Sequence, residues 1–252
     1  MPIRVAVYAE AGHPHGAGPQ NLERILAPPD FAVVFLTPQE IIQGIAPKFE
    51  VIMFPGGTGP RQANALGEEG RQAVRGFVES GGGYVGICAG AWLARNAPNR
   101  LGLVDVEFSF ARDGRSYRGQ QRQVILRVSG DREAREVFQE FAAPTHEYMK
   151  YVMATYRNGP MFGPRRRGRN AAPVATLCTF VQDYWGIRPG KDQRVEEGAG
   201  AAIAGRYGKG RVVLFSPHFE SDKTPELHPY VIRAVQWAAG RGRVLVRGAG
   251  NP

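Results

Sequence analysis

The first half of the chain alternates apolar runs with amphipathic stretches. Four apolar runs that are rich in β-branched residues and end at turn signals predict buried strands, over Ile3–Glu10, Phe31–Thr37, Phe49–Gly57 and Gly83–Cys88. Between the last two, the stretch 68–82 has apolar residues at helical spacing and ends in glycines. Strands and helices in this order predict an α/β fold with a mostly parallel sheet covered by helices.

The middle of the chain has a different pattern. Apolar and polar residues alternate over Leu103–Ala111 and Gln120–Ser129, which predicts two antiparallel strands joined as a hairpin. Asp131–Phe141 predicts an amphipathic helix with Asp131 as its N-cap. The Gly-, Pro- and Arg-rich stretch Tyr156–Pro173 predicts a loop. We therefore expect an additional antiparallel hairpin beside the parallel sheet.

The last third of the chain returns to buried elements. Val174–Phe180 and Val212–Phe215 predict strands, and Tyr207–Gly210 predicts the turn before the second of them. Tyr230–Gly240 predicts a closing helix, and a short strand is expected within residues 241–252. Because the sequence has no internal repeat and no linker, residues 1–252 are expected to form a single domain.

The composition favours an ordinary globular protein. Of the 252 residues, 43% are hydrophobic and 22% are charged. No apolar run approaches the roughly 20 residues that a membrane helix needs. The N-terminal run is too short for a signal peptide and leads directly into a predicted strand. We therefore expect a cytoplasmic protein with no membrane partner.

The cysteine and histidine content argues against a disulfide scaffold and against a structural metal. There are two cysteines, Cys88 and Cys178, and five histidines without zinc-ligand spacing. Cys178 lies within an apolar run and is interpreted as a core residue. His13 and His15 follow the first strand with Glu10 as the nearest acidic residue, which is too small a ligand set. No metal and no cofactor are expected.

The net charge is +9, from 32 basic and 23 acidic residues. The basic residues are scattered except in the sequence PRRRGRN, which contains the cluster Arg165–Arg169. We interpret this cluster as part of a solvated loop, and a surface for an anionic partner is the alternative. Because no aromatic residues accompany the arginines, nucleic acid is not expected as a partner.

The sequence VGICAGAW places Cys88 between a predicted strand and a predicted short helix. A sharp strand-to-helix turn is crowded, and the flanking glycines Gly86 and Gly90 remove the clashing Cβ atoms. The turn exposes its corner residue at the carboxyl edge of the sheet, and the helix N–H groups favour a thiolate over a thiol. Cys88 is therefore predicted to be a nucleophile, and a small buried core residue is the alternative.

The sequence VVLFSPHFE supplies a candidate base with an orienting partner. His218 and Glu220 follow a predicted strand, and a spacing of two puts both side chains on one side of an extended segment. Glu220 could then hold one ring nitrogen of His218 while the other faces Cys88. A surface pair in a loop is the alternative.

The glycine-rich turn FPGGTGP lies at the same predicted edge of the sheet. Backbone N–H groups of Gly56 or Gly57, together with the N–H of Ala89 after the nucleophile, could stabilise a developing oxyanion. A phosphate-binding turn or a plain tight turn is the alternative for these glycines.

The segments VIMFPGG, GGGYVGICAGAW and GKGRVVLFSPHFE resemble those of class I glutamine amidotransferase-like domains. More narrowly, they resemble the N-terminal domain of biotin–protein ligases and its stand-alone relatives. The resemblance covers about Ile3 to Gly240 and includes YRNGPMF, which lacks the second glycine of the corresponding element. It implies a flavodoxin-like three-layer sandwich. It also implies a Cys88–His218–Glu220 triad that works through a thioester.

The resemblance further assigns the oxyanion donors to Gly57 and Ala89. It implies a small-molecule or amide substrate, and a synthase-type or regulatory protein as a partner. The sequence AWLARNAPNR after the elbow contains no Gln or Glu, where amidotransferases carry the residue that binds glutamine. Glutamine is therefore not predicted as the substrate. A non-catalytic ligand-binding or regulatory module with the same fold remains the alternative function.

Three residues are candidates for the substrate pocket. Glu10 ends the first strand, and related intracellular-protease and glyoxalase-like proteins place an acidic residue of the first strand beside the cysteine. Gly56 belongs to the turn after the third strand, and Trp92 follows the elbow on its helix. A solvated strand end is the alternative for Glu10, and a core aromatic is the alternative for Trp92.

Overall fold

The computed structural model describes residues 1–45, 48–109, 121–165, 174–181, 184–186, 193–195 and 198–241. The strands within these residues are β1 Ile3–Tyr8, β2 Phe31–Leu36, β3 Val51–Phe54, β4 Gly83–Ile87, β5 Val106–Ser109, β6 Arg122–Val128, β7 Lys150–Tyr156, β8 Met161–Arg165, β9 Val174–Phe180, β10 Tyr184–Gly186, β11 Gln193–Val195, β12 Gly200–Tyr207 and β13 Gly210–Phe215. The α-helices are α1 Ala17–Ile25, α2 Pro38–Gln43, α3 Gly59–Glu79, α4 Ala89–Leu93, α5 Arg132–Phe138 and α6 His228–Ala238. Short 3₁₀ turns follow α5 and precede α6, over Gln139–Phe141 and Pro225–Leu227.

The parallel part of the main sheet has the strand order β2-β1-β3-β4-β13. Its register pairs Val5 of β1 with Val33 of β2 and with Val51 of β3. β13 lies parallel to β4, with Phe215 opposite Ile87. Strands buried on both faces need apolar residues at every position, which is why these segments are continuous apolar runs. All the carboxyl ends of these strands meet at one edge of the sheet.

The rest of the main sheet is antiparallel. It continues from β13 through β12, β9 and β6 to β7, and β8 pairs with both β12 and β5. β10 and β11 form a separate two-stranded sheet. The α/β class is therefore correct. The sheet, however, is mixed rather than a parallel sheet with one added hairpin.

The predicted hairpin between Leu103–Ala111 and Gln120–Ser129 is wrong. β5 pairs with β8, and both edges of β6 are occupied, by β7 and β9. β6 does alternate apolar and polar residues, but it pairs with β7 and β9 and not with the preceding strand β5. The loop predicted over Tyr156–Pro173 is also wrong in part, because β8 lies within it.

Other predictions agree with the described elements more closely. Asp131 occupies the N-cap position of α5, although its side chain accepts a hydrogen bond from Ser129 Oγ at 2.8 Å instead of capping the helix. Apart from Arg241, the predicted C-terminal strand lies outside the described residues. The cluster Arg165–Arg169 also lies outside them, except for the backbone of Arg165 in β8.

The helices contribute to two separate hydrophobic clusters. One hydrophobic cluster contains Leu22 of α1, Phe138 of α5 and Tyr230 of α6. The other contains residues of α2, α3 and α4, among them Ile41 and Val74. Within the described part of the chain, no helix combines the length and hydrophobicity that crossing a bilayer requires.

We predict that Phe215→Ala lowers the free energy of unfolding by about 3–5 kcal/mol. The Phe215 ring is fully buried and lies 4.5 Å from the Phe219 ring, centroid to centroid, so its loss leaves a cavity. Denaturant unfolding measures the change. Val34→Ala is the control, because Val34 is 46% exposed and should change the free energy by less than about 0.5 kcal/mol. Equal effects of the two substitutions would contradict this account of the core.

Candidate active site

Cys88 lies at the turn between β4 and α4, where it is the N-cap residue of the helix. Its φ is 51° and its ψ is −98°, a conformation that side-chain-bearing residues rarely adopt. The backbone N–H of Cys88 donates to the carbonyl oxygen of Phe215 at 2.8 Å. This hydrogen bond to β13 helps to hold the strained corner in place.

Close packing around the turn requires glycine at both positions that flank the cysteine. A Cβ on Gly90 would lie 2.0 Å from the carbonyl oxygen of Phe54, and one on Gly86 would lie 2.7 Å from the carbonyl of Gly90. The hydroxyl of Tyr84 donates to that same Gly90 oxygen at 2.7 Å. The turn therefore has the close backbone packing of a nucleophile elbow.

His218 and Glu220 lie in the segment after β13 and form a hydrogen-bonded pair. Nδ1 of His218 is 2.8 Å from Oε1 of Glu220, and because a carboxylate only accepts, Nδ1 carries the proton. This leaves Nε2 for the Cys88 side chain, whose proximity is one of the causes that raise the pKa of the ring. The described structure thus brings Cys88, His218 and Glu220 together at the carboxyl edge of the sheet.

The charge state of His218 follows from its neighbours. Burial alone would lower the pKa of His218, but the negative charges of Glu220 and of a Cys88 thiolate outweigh burial and raise the pKa well above its ordinary value. The raised pKa of His218 therefore depends on both of these acidic neighbours.

The carboxylate of Glu220 is buried, with 1% of the residue exposed. One oxygen receives the proton of His218, and the other, Oε2, has no hydrogen-bond partner among the described residues. The first turn of α1 lies beside it, since a Cβ on Gly18 would be 3.5 Å from Oε1.

The residues at the end of β7 and just after it contact His218 and Cys88. The sequence pattern did not predict these contacts. The carbonyl oxygen of Thr155 accepts the backbone N–H of His218 at 2.7 Å. The carbonyl oxygen of Arg157 accepts the thiol of Cys88, with Sγ 3.3 Å away. A Cβ on Gly159 would lie 2.0 Å from the carbonyl oxygen of Ser216. We call residues 155–159 the strap.

The predicted oxyanion donors lie at the start of α4 and the end of the turn after β3. Ala89 is the first residue of α4, so its N–H has no acceptor within the helix. Gly57 has a φ of 149°, which favours glycine. Gly56 lies directly beside the triad, because a Cβ there would be 2.5 Å from Cε1 of His218. Donation to an oxyanion by Gly57 and Ala89 stays a prediction.

A cavity of about 540 Å³ lies beside the triad, between the loops that follow β1 and β3. It is lined by Gly56, Gly57 and Glu10, among other residues. The carboxylate of Glu10 forms an ion pair with Arg61, whose Nε lies 2.8 Å from Oε2. A pocket that includes Glu10 and Gly56 therefore exists, and substrate binding in it stays a prediction.

Trp92 lies elsewhere. A Cβ on Gly59 would be 2.3 Å from its ring, and the guanidinium carbon of Arg100 lies 3.5 Å from the ring centroid. Trp92 is not among the residues that line the cavity beside Glu10. In the part of the chain that the structure describes, no three His, Cys, Asp or Glu side chains are placed to hold a metal ion.

Solved structures share this fold over most of the chain. PurLQS from Thermotoga maritima is 16% identical with a TM-score of 0.62, covering 93% of this chain and 98% of that one. A glutamine amidotransferase from Thermotoga maritima is 13% identical with a TM-score of 0.58, covering 94% and 98%. A putative ThuA-like protein from Bacteroides uniformis is 16% identical with a TM-score of 0.58, covering 94% and 91%. These similarities establish a class I glutamine amidotransferase-like fold.

Within that class, the chain belongs to the biotin-protein ligase, N-terminal family, which matches residues 3–236. No curated protein has a detectably similar sequence. The family membership confirms the resemblance to the N-terminal domain of biotin–protein ligases.

We predict that Cys88 reacts with iodoacetamide at about pH 6–7, where an ordinary thiol with a pKa near 8.5 is mostly protonated. The raised pKa of His218 keeps the ring cationic in this range, and the cation stabilises the thiolate. Peptide mass spectrometry compares Cys88 with Cys178, which is fully buried with its pKa raised by burial and should not react. His218→Ala should move the reaction of Cys88 to higher pH. An unchanged profile in that variant would exclude the ion pair.

We predict that Gly56→Ala slows the alkylation of Cys88 at neutral pH by about 10- to 100-fold, because the new Cβ displaces the His218 ring. Gly76→Ala is the matched control, since a Cβ there meets nothing within 4 Å. Both variants are compared by alkylation rate and by denaturant unfolding. A Gly56→Ala variant that reacts like the Gly76→Ala variant would contradict the contact between Gly56 and His218.

Proposed function

We propose that the protein is a cysteine-dependent hydrolase or amidotransferase-like enzyme that cleaves an amide or ester through a thioester at Cys88. One observation carries the proposal. The His218 ring lies between a buried carboxylate and the cysteine of a strained elbow, with Nδ1 2.8 Å from Glu220 Oε1. This is the arrangement that activates a nucleophile and later protonates a leaving group. We further propose that the fold is a flavodoxin-like three-layer sandwich.

In the first half of the proposed reaction, the Cys88 thiolate attacks the carbonyl carbon of the substrate. The carbonyl π electrons move to oxygen, and the N–H groups of Gly57 and Ala89 stabilise the resulting oxyanion. When the carbonyl re-forms, the bond to the leaving amine or alcohol breaks. The His218 imidazolium gives its Nε2 proton to that leaving group. The products are a thioester at Cys88 and a neutral imidazole.

In the second half, water replaces the leaving group. Neutral His218 takes a proton from the water as the oxygen attacks the thioester carbon. The new tetrahedral oxyanion occupies the same site beside Gly57 and Ala89, and its collapse releases a carboxylic acid and the thiolate. Throughout, Glu220 keeps the ring oriented and stabilises its charged form.

We propose a small molecule with an amide or ester group as the substrate. The segment after the elbow lacks a Gln or Glu, so we do not propose glutamine. Structures with this fold include a putative GMP synthase protein from Thermoplasma acidophilum, 10% identical with a TM-score of 0.56. By analogy we propose a synthase-type or regulatory protein partner. A cytoplasmic location is also retained as a proposal.

A second candidate function rests on the strap. The thiol of Cys88 donates to the carbonyl oxygen of Arg157, and Cys88 is 7% exposed. A carbonyl oxygen that accepts the thiol hydrogen covers the sulfur. This favours a non-catalytic ligand-binding or regulatory module that keeps the fold. Its binding surface would include the arginine cluster 165–167.

The test uses p-nitrophenyl acetate as an activated ester. We expect a burst of p-nitrophenol and an acetyl group on the Cys88 peptide, read by mass spectrometry. Cys88→Ala should abolish both signals. Glu220→Gln should keep the cysteine but lower turnover by about 10²- to 10⁴-fold, because general acid–base catalysis contributes that much.

Cys178→Ala is the control for the test, because Cys178 lies fully buried in β9 and should not affect acylation. Circular dichroism checks that each variant is folded. Turnover that survives Cys88→Ala would overturn the proposed nucleophile. A folded wild-type protein that forms no acyl-enzyme would favour the non-catalytic alternative.

A further inference from the structure

An exposed apolar cluster lies on β7 and the residues just before it. Among the described residues, six large apolar side chains are exposed, and four of them lie between positions 148 and 153: Tyr148, Met149, Tyr151 and Met153. β7 is the last strand in the order of the main sheet. An exposed apolar strand at the end of a sheet is a surface on which another strand can pair.

The alternation along β7 places three of these side chains on one face. Met149, Tyr151 and Met153 are 63%, 48% and 53% exposed, whereas Val152 is partly buried and Ala154 is fully buried. The Tyr151 hydroxyl lies 3.0 Å from the sulfur of Met149, which confirms that the two side chains share a face. Residues two apart along a strand project to the same side.

The backbone of β7 has a free outer edge over the same residues. The Thr155 carbonyl points away from β6, because it accepts the N–H of His218. In an antiparallel ladder, alternate residues direct their N–H and C=O groups to the same edge. Tyr151 and Met153 therefore direct theirs to the outer edge as well. Their outward groups have no hydrogen-bond partner among the described residues.

This edge lacks the features that prevent strand pairing. Residues 148–156 contain one charged residue, Lys150, and no proline. Nζ of Lys150 donates to the carbonyl oxygen of Phe141 at 2.7 Å, so its charge is directed back onto its own chain. Edge strands are normally protected by an outward lysine, by proline or by a bulge.

We propose that β7 pairs antiparallel with β7 of a second copy of the chain, centred on Tyr151. In this register Tyr151 faces Tyr151 of the other copy, and Met149 faces Met153 in both directions. The two main sheets then join into one continuous sheet.

The second copy is favoured over another partner because the edge is self-complementary. With Thr155 occupied by His218, the outward groups left within β7 are those of Tyr151 and Met153, and Met149 precedes the strand at the same spacing of two. Positions 149, 151 and 153 are symmetric about Tyr151. A two-fold axis through Tyr151 therefore satisfies all of them at once. It also covers the apolar side chains with one another, as tyrosine–tyrosine and methionine–methionine pairs.

The first experiment measures mass in solution by sedimentation velocity over a range of concentrations. The full chain should be a dimer. The double variant Tyr151→Lys/Met153→Lys should be a monomer, because like charges then face each other across the axis. The control is Val34→Lys, which places the same charge on an exposed apolar position of β2, the opposite end of the sheet. It should remain a dimer.

The second experiment tests the register by disulfide cross-linking, which does not require a variant that separates the dimer. Residues that exchange both backbone hydrogen bonds have Cα atoms about 5.5 Å apart, within the range that a disulfide spans. In a Cys88→Ser background, Tyr151→Cys should therefore form a covalent dimer on mild oxidation, whereas Val34→Cys should not. A wild-type monomer at all concentrations would overturn the proposal. A dimer unaffected by both Tyr151→Lys/Met153→Lys and Tyr151→Cys oxidation would also overturn it.

Discussion

The backbone of α4 lies so close to the end of β3 that no side chain fits at Gly90, where a Cβ would be 2.0 Å from the Phe54 carbonyl oxygen. This contact fixes the direction in which the chain leaves β4. Cys88 must then take up the corner conformation at φ 51°, which costs on the order of 1–3 kcal/mol. Hydrogen bonds from the Cys88 N–H and the Tyr84 hydroxyl offset that cost. The sulfur is thereby held at the edge where the neighbouring strands end.

Both parts of the main sheet contribute residues to the candidate site. The parallel strands supply Cys88, the glycine turn at Gly56 and the start of the His218 segment. The strap then fixes the backbone of His218 through the Thr155 carbonyl and covers the sulfur through the Arg157 carbonyl. In the proposed reaction, a substrate carbonyl must replace the Arg157 oxygen near the sulfur before attack can occur. Access to the nucleophile therefore depends on the residues that follow β7, while its orientation depends on the elbow.

The sequence predicted the parts of the site that depend on residue type and on local order. The parallel strands were visible as continuous apolar runs, and the elbow and the His-x-Glu segment each lie at the end of one such run. The pairing of β5 with β8 was not predictable by hairpin rules, which consider only neighbouring segments. β7 was missed because its exposed positions are apolar, so the usual alternation of buried and solvated residues is absent. The strap acts through the carbonyls of Thr155 and Arg157, and every residue type has a carbonyl. The catalytic roles of Cys88, His218 and Glu220, and of the oxyanion donors, stay predictions.

The outer edge of β7 has two parts with different surroundings. At Thr155 the outward carbonyl accepts the backbone N–H of His218, and the neighbouring Ala154 is fully buried. Two residues earlier, at Met153, the outward groups and the side chain are exposed. The side chains differ between the two parts, since Ala154 and Thr155 are small beside His218, whereas Tyr151 and Met153 are large and exposed. The strap over Cys88 therefore continues the same strand whose exposed half is proposed to pair with a second copy.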